Sequence, residues 1–247
     1  MYEDFIEAVK TGNLAKVRDA LLTPSKGKGI DVNKADDSGR TAVMHASNNN
    51  HIEVLDVLLS KPEIKVNKVD KVGKTAIMYA AIRGHIEVLN ALLSKPDIDV
   101  NVADRDGFTA VMGAAYHGHT EVLKALLSNP DIDVNKANKY GFTAVMLAAF
   151  NGHTEVVSAL LSKPGIDVNK ADENGKTAVT HAVENGHTKI VGLLKEAEKD
   201  QGAKKTEKNP GAKKLRKAGG GSLQKNKTKR RKNRTGKTIK RRKPVKQ

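Results

Sequence analysis

The chain has no cysteine and no tryptophan, and only four Tyr and four Phe among its 247 residues. Without cysteine there is no disulfide, no thiolate metal site and no cysteine nucleophile, a composition suited to a reducing compartment. The longest apolar runs, such as residues 144–150, fall far short of the roughly 20 residues that span a bilayer, so no membrane role is expected. Residues 1–7, Met-Tyr-Glu-Asp-Phe-Ile-Glu, are acidic and lack the apolar segment of a secretory signal, so secretion is not expected either. Acids are nearly absent from one region as well. Residues 199–247 hold 21 Lys or Arg against Asp200 and Glu207, a net of +19. The whole chain carries +16, which leaves residues 1–198 close to neutral at −3.

What the chain does hold is a period. Thr-Ala-Val-Met at Thr41 returns almost unchanged at Thr75, Thr109, Thr143 and Thr177, each 34 residues after the last. A spacing this strict over five copies marks a stack of one supersecondary unit rather than a chain wrapped around one core. Residues 102–135 show the unit. Asp104-Arg105-Asp106-Gly107 reads as a turn. Thr109 is placed to cap a short helix over 110–115 that Gly118 closes. The other copies carry Asn50, Gly84, Gly152 and Gly186 there, and only Gly and Asn tolerate a left-handed helix end readily. A second helix is predicted over 120–128, with Val122, Leu123, Leu126 and Leu127 on one face. Pro130 stops it, and residues 131–135 lead out as an extended arm. The small Ala114-Ala115 pair allows close approach between neighbouring units.

The layout of turn, helix, turn, helix and arm resembles the ankyrin repeat, through the Asp-x-x-Gly-x-Thr turns, the Ala-Ala pairs, the Gly-His dipeptides (Gly84-His85, Gly118-His119, Gly152-His153) and the Asp-Val-Asn arms. The resemblance covers residues 1–198 and implies an all-α helix-turn-helix solenoid of about six repeats, at 1–33, 34–67, 68–101, 102–135, 136–169 and 170–198. The first and last segments are atypical, as caps of a stack must be. Two departures stand out: the family usually has Thr-Pro-Leu-His where this chain has Thr-Ala-Val-Met, and the unit is one residue longer in its arm. Proteins of this family bind other proteins on a concave surface, and no enzyme activity or cofactor is implied.

Nothing in the sequence gathers into a catalytic or metal constellation. Five histidines (His51, His85, His119, His153, His187) recur at the repeat spacing, which should separate them by a helix-packing distance of about 8–10 Å. Zinc needs its nitrogens near 2.0–2.1 Å from one ion, so these histidines read as structural. Met44, Met78, Met112 and Met146 share one repeat position and read as core. The aromatic residues point to a partner instead. Phe108 and Phe142 lie between a turn Gly and its Thr, Tyr140 lies inside a turn, and Tyr116 and Phe150 follow an Ala-Ala pair. Those are variable concave-side positions in the resembling family, and aromatic residues are favoured anchors. A protein-binding patch of these five residues is therefore expected. Spacing also resembles that of ankyrin asparagines hydroxylated by an asparaginyl hydroxylase: Leu93, Leu127 and Leu161 stand eight residues before Asn101, Asn135 and Asn169.

Residues 199–247 have no aromatic residue and few apolar ones, so disorder is expected. Their basic clusters (Lys213, Lys214, Arg216 and Lys217; Lys229, Arg230, Arg231 and Lys232; Lys240, Arg241, Arg242 and Lys243) resemble nuclear or nucleolar import signals. They would serve equally as sequence-blind phosphate contacts on DNA or RNA. The sequence thus predicts a monomeric, nuclear or otherwise cytoplasmic scaffold for a protein partner. The alternative is a nucleic-acid-binding protein whose basic tail is the main activity.

Overall fold

A computed structural model describes residues 2–22 and 29–207. Among them there are twelve helices in six pairs and no strand. The pairs are α1 (Tyr2–Lys10) with α2 (Leu14–Leu22), α3 (Ala42–Asn48) with α4 (Ile52–Leu59), and α5 (Ala76–Arg83) with α6 (Ile86–Leu93). They continue as α7 (Ala110–His117) with α8 (Thr120–Ser128), α9 (Ala144–Asn151) with α10 (Thr154–Leu161), and α11 (Ala178–Glu184) with α12 (Thr188–Glu207). First helices pack on first helices in a row from α1 to α11, and second helices form a parallel row from α2 to α10. The Ala-Ala pairs at 80–81, 114–115 and 148–149 are wholly buried where the first helices meet. Behind them, Leu55, Leu58, Leu89, Leu92, Leu123, Leu126 and Leu160 are sealed from solvent. Each such leucine contributes roughly 1.5–3 kcal/mol relative to leaving it exposed.

Local chemistry explains the helix ends. Each N-cap threonine is extended, and the hydroxyls of Thr41 and Thr109 accept from the N–H of Met44 and Met112. The methionines are core residues, as expected, but three of them also cap: Met44, Met78 and Met146 Sδ accept the N–H of Thr41, Thr75 and Thr143 at 3.4–3.5 Å. Gly84, Gly118 and Gly152 end their helices in the left-handed region, and Asn50 does so at φ 58°.

Three ladders run between neighbouring repeats. At the turn tips the N–H of Lys71, Arg105, Lys139 and Glu173 each donates to a carbonyl of the preceding turn (Ser38, Val72, Asp106 and Tyr140). At the first-helix ends the recurring histidines each place Nε2 2.9–3.2 Å from a carbonyl of the preceding repeat: Lys10, Asn48, Ile82, Tyr116 and Phe150. A carbonyl only accepts, so Nε2 carries the proton in each. Along the arms, Asn33, Asn67, Asn101 and Asn135 each donate through Nδ2 to a carbonyl of the next arm and accept one of its N–H groups through Oδ1.

The stack does not stop at the expected boundary of 198. α12 runs to Glu207, and Gln201 explains its persistence. It accepts from Asn169 Nδ2 at 3.0 Å and donates to the Ile166 carbonyl at 2.8 Å, standing in for the arm of a missing next repeat. Residues 199–207 are therefore helix, which corrects the expectation of a tail disordered from 199. The basic clusters from Lys213 to Lys243 lie outside the described residues.

Candidate protein-binding site

The turns and first helices of two adjacent repeats bring the five predicted aromatic residues to one place. Phe108, Tyr116, Tyr140, Phe142 and Phe150 line a single surface groove of about 190 Å³, together with Asn138 and Leu147. Phe108 and Phe142 are half-buried against the core, each standing immediately before an N-cap threonine. Tyr116, Tyr140 and Phe150 remain 45%, 53% and 43% exposed, unusual for rings that bury readily. Some of this aromatic surface has local company: Phe142 lies 5.0 Å and Phe150 5.9 Å from the ring of His181. The turn that presents Tyr140 is held by Asn138, whose Oδ1 accepts the N–H of Tyr140 and Phe142 at 3.0 and 2.9 Å.

Asn138 and Leu147 were not among the residues singled out from the sequence, although a signal was present. The other turns carry Asp36, Asp70, Asp104 and Asp172 at the position of Asn138. Four residues after each N-cap threonine stand His45, Tyr79, Gly113, Leu147 and His181. The two positions answer each other. His45 Nε2 bonds Asp36 Oδ2 at 2.8 Å, the Tyr79 hydroxyl donates to Asp70 at 2.5 Å, and His181 Nε2 bonds Asp172 at 2.9 Å. Leu147 offers no donor, and its turn carries an uncharged amide. In each of these three pairs donor and acceptor stand nine positions apart and meet only across the helix start.

Electrostatics follow. Burial disfavours the Asp36 carboxylate, but the N–H groups of Arg40 and Ser38 and the His45 ring outweigh it, holding its pKa below the usual carboxylate value. Asp70 and Asp172 are lowered in the same way, burial again opposing and hydrogen bonds prevailing. The His45 pKa is lowered by burial, against the pull of Asp36. The Tyr79 phenol is pushed up to about 12 by burial and by the Asp70 carboxylate. These groups are committed to the fold. No group of three or more metal-ligating side chains occurs among the described residues. Asn101 and Asn135 use both ends of their amides in the arm ladder, whereas Asn169 meets a side chain and is exposed.

A stack of helix pairs that turns one row of tips and first-helix ends towards solvent is the build of a repeat scaffold. The family model for ankyrin repeats in three copies matches residues 5–104, 63–138 and 111–209, and the chain belongs to the ankyrin repeat family. Similar solved structures agree. The ankyrin repeat protein EF0377 is 27% identical, with a TM-score of 0.71, over 78% of this chain and 97% of its own. An ankyrin repeat domain from Acinetobacter baumannii is also 27% identical, with a TM-score of 0.69, over 79% of this chain and 97% of its own. Among curated proteins nothing matches the sequence.

Proposed function

We propose that this chain is a protein-binding scaffold whose partner docks on the groove lined by Phe108, Tyr116, Tyr140, Phe142 and Phe150. Ankyrin repeats generally mediate protein–protein interaction. One observation carries the reading further: five of the chain's eight Phe and Tyr residues converge on one groove, three of them substantially exposed. Aromatic anchors in a shared concavity are where binding energy concentrates. The test uses Tyr140→Ala with Phe150→Ala, because Phe108 and Phe142 also pack on the core. Proteins retained by the immobilised chain should bind this variant at least about tenfold more weakly, with an unchanged circular-dichroism spectrum. Equal affinity would sink the assignment of the groove.

The basic clusters between Lys213 and Lys243 support a second element of the reading: import into the nucleus or nucleolus, with sequence-blind contact to DNA or RNA. Each phosphate neutralised contributes a slope of about −0.9 in log affinity against log salt on duplex DNA, so such contacts weaken steeply as salt rises.

A further inference from the structure

Of the five first helices that follow the N-cap threonines, three bond the turn through the side chain at the fourth position after the threonine, α9 has Leu147 there and α7 has Gly113. Tyr79 of α5 shows how such a position is filled. Its hydroxyl donates to Asp70 Oδ2, while the guanidinium of Arg40, from the preceding repeat, sits 4.9 Å from its ring centroid and 3.9 Å from the same carboxylate oxygen. Carboxylate and cation make a frame, and the phenol ring completes it.

The next repeat builds that frame again without the ring. Asp104 Oδ1 accepts the N–H of Asp106 and Phe108 at 3.0 and 2.9 Å, as the other turns do. Oδ2 is left with Lys74 Nζ at 3.5 Å, and Lys74 occupies the place that Arg40 holds one repeat earlier. The Asp104 side chain is only 6% exposed. In place of a ring there is a concavity of about 370 Å³, lined by Met78, Ile82, Phe108, Gly113 and Tyr116 and also by Asp106 and His117. A carboxylate oxygen with one long ion-pair contact, facing this concavity, has room to accept from a further donor.

We propose that this concavity is a socket for a tyrosine side chain supplied by the protein partner, its hydroxyl donating to Asp104 Oδ2 and its ring lying under Lys74. The proposal rests on the protein-binding reading above and names the chemistry of one anchor. A phenol supplies to Asp104 the same donor that Tyr79 supplies to Asp70 one repeat earlier, with Lys74 in the place of Arg40. The imidazole frame elsewhere in the stack is built differently: His181 meets Asp172 with the Phe142 ring, not a cation, against it. Filling the socket from within the chain is obstructed, since a Cβ on residue 113 would stand 2.9 Å from Ile82 Cγ1. Phe108 and Tyr116 also line the aromatic groove, so the socket and the groove are continuous.

The socket is testable without a partner. The full chain is titrated with 4-methylphenol, toluene and 4-methylimidazole while backbone amides are followed by NMR. Saturable shifts at Gly113 and Phe108 are expected with 4-methylphenol, and binding about tenfold or more tighter than toluene, the worth of one hydrogen bond to a charged acceptor. Asp104→Asn should abolish that preference. The substitution is compatible with the turn, because Asn138 holds the neighbouring one through the same two N–H bonds. Toluene binding as tightly as 4-methylphenol, 4-methylimidazole binding more tightly, or an unchanged preference in Asp104→Asn at an unchanged Tm would each overturn the socket. Tyr140 and Phe150 do not line it, so a failure of the groove test leaves this result standing, and the reverse.

Discussion

Asp36 and His45, nine positions apart, illustrate how a single polar pair couples this fold to pH. Burial lowers the His45 pKa, so the folded chain keeps that ring neutral at pH values where the unfolded chain, near the ordinary value of about 6.5, begins to take up a proton. His85 and His117 are lowered by burial too. Their contribution to stability is present above about pH 6.5 and is lost as pH falls below it through the folded values. The depressed carboxylates of Asp36, Asp70 and Asp172 contribute above about pH 3.9, and that contribution is lost as pH falls further through their lowered values. Acidification from pH 7.5 should therefore lower Tm in two stages. His45→Gln, which keeps an N–H donor for Asp36, should make the first stage shallower. A Tm independent of pH between 7.5 and 5 would contradict the histidine assignment.

Helix ends were the most legible elements, because their chemistry is local. Gly or Asn at positions 50, 84, 118, 152 and 186 marked the first-helix ends, and all five have positive φ. The sequence did not disclose what each glycine faces. A Cβ on Gly118 would lie 2.7 Å from the His153 ring, whereas one on Gly186, at the same φ of 75°, meets nothing within 4 Å. Gly186→Ala should cost about 1 kcal/mol through backbone strain alone. Gly118→Ala should cost roughly 1 kcal/mol more, since the ring must move and lose its bond to the Tyr116 carbonyl. Urea denaturation of the two variants compares them directly, and equal losses would show that the histidine ladder adds nothing. The aromatic groove was legible for a similar reason, since its residues share repeat positions. The Gly113 socket was not, because it depends on Lys74, Asp104 and Ile82 meeting across a repeat boundary. Sulfur capping by methionine was missed too: an apolar side chain at a core position gives no sign in sequence of where its Sδ will sit.

Across the molecule, contacts run between neighbouring repeats, and the last repeat depends on α12 for its closure. The repeat resemblance and the turn to basic charge put the end of the stack at 198; Gln201 carries the structure beyond it. A chain cut after 198 loses both Gln201 bonds and should unfold its last repeat earlier than a chain cut after 207, by about 1–3 kcal/mol in total. The cut after 207 also removes every basic cluster from Lys213 onwards while sparing α12, so it should keep groove binding and lose nuclear accumulation. Retained accumulation would refute the import reading, and loss of partner binding would place the binding surface elsewhere. The three ladders have a mechanical consequence. Because turn, histidine and arm bonds recur together at the three boundaries between the second and fifth repeats, a pull on the two ends of the stack meets a series of similar latches rather than one seam. Each latch that yields lets out one 34-residue unit, about 110–120 Å of extended chain, so the stack behaves as a graded spring that lengthens in equal steps.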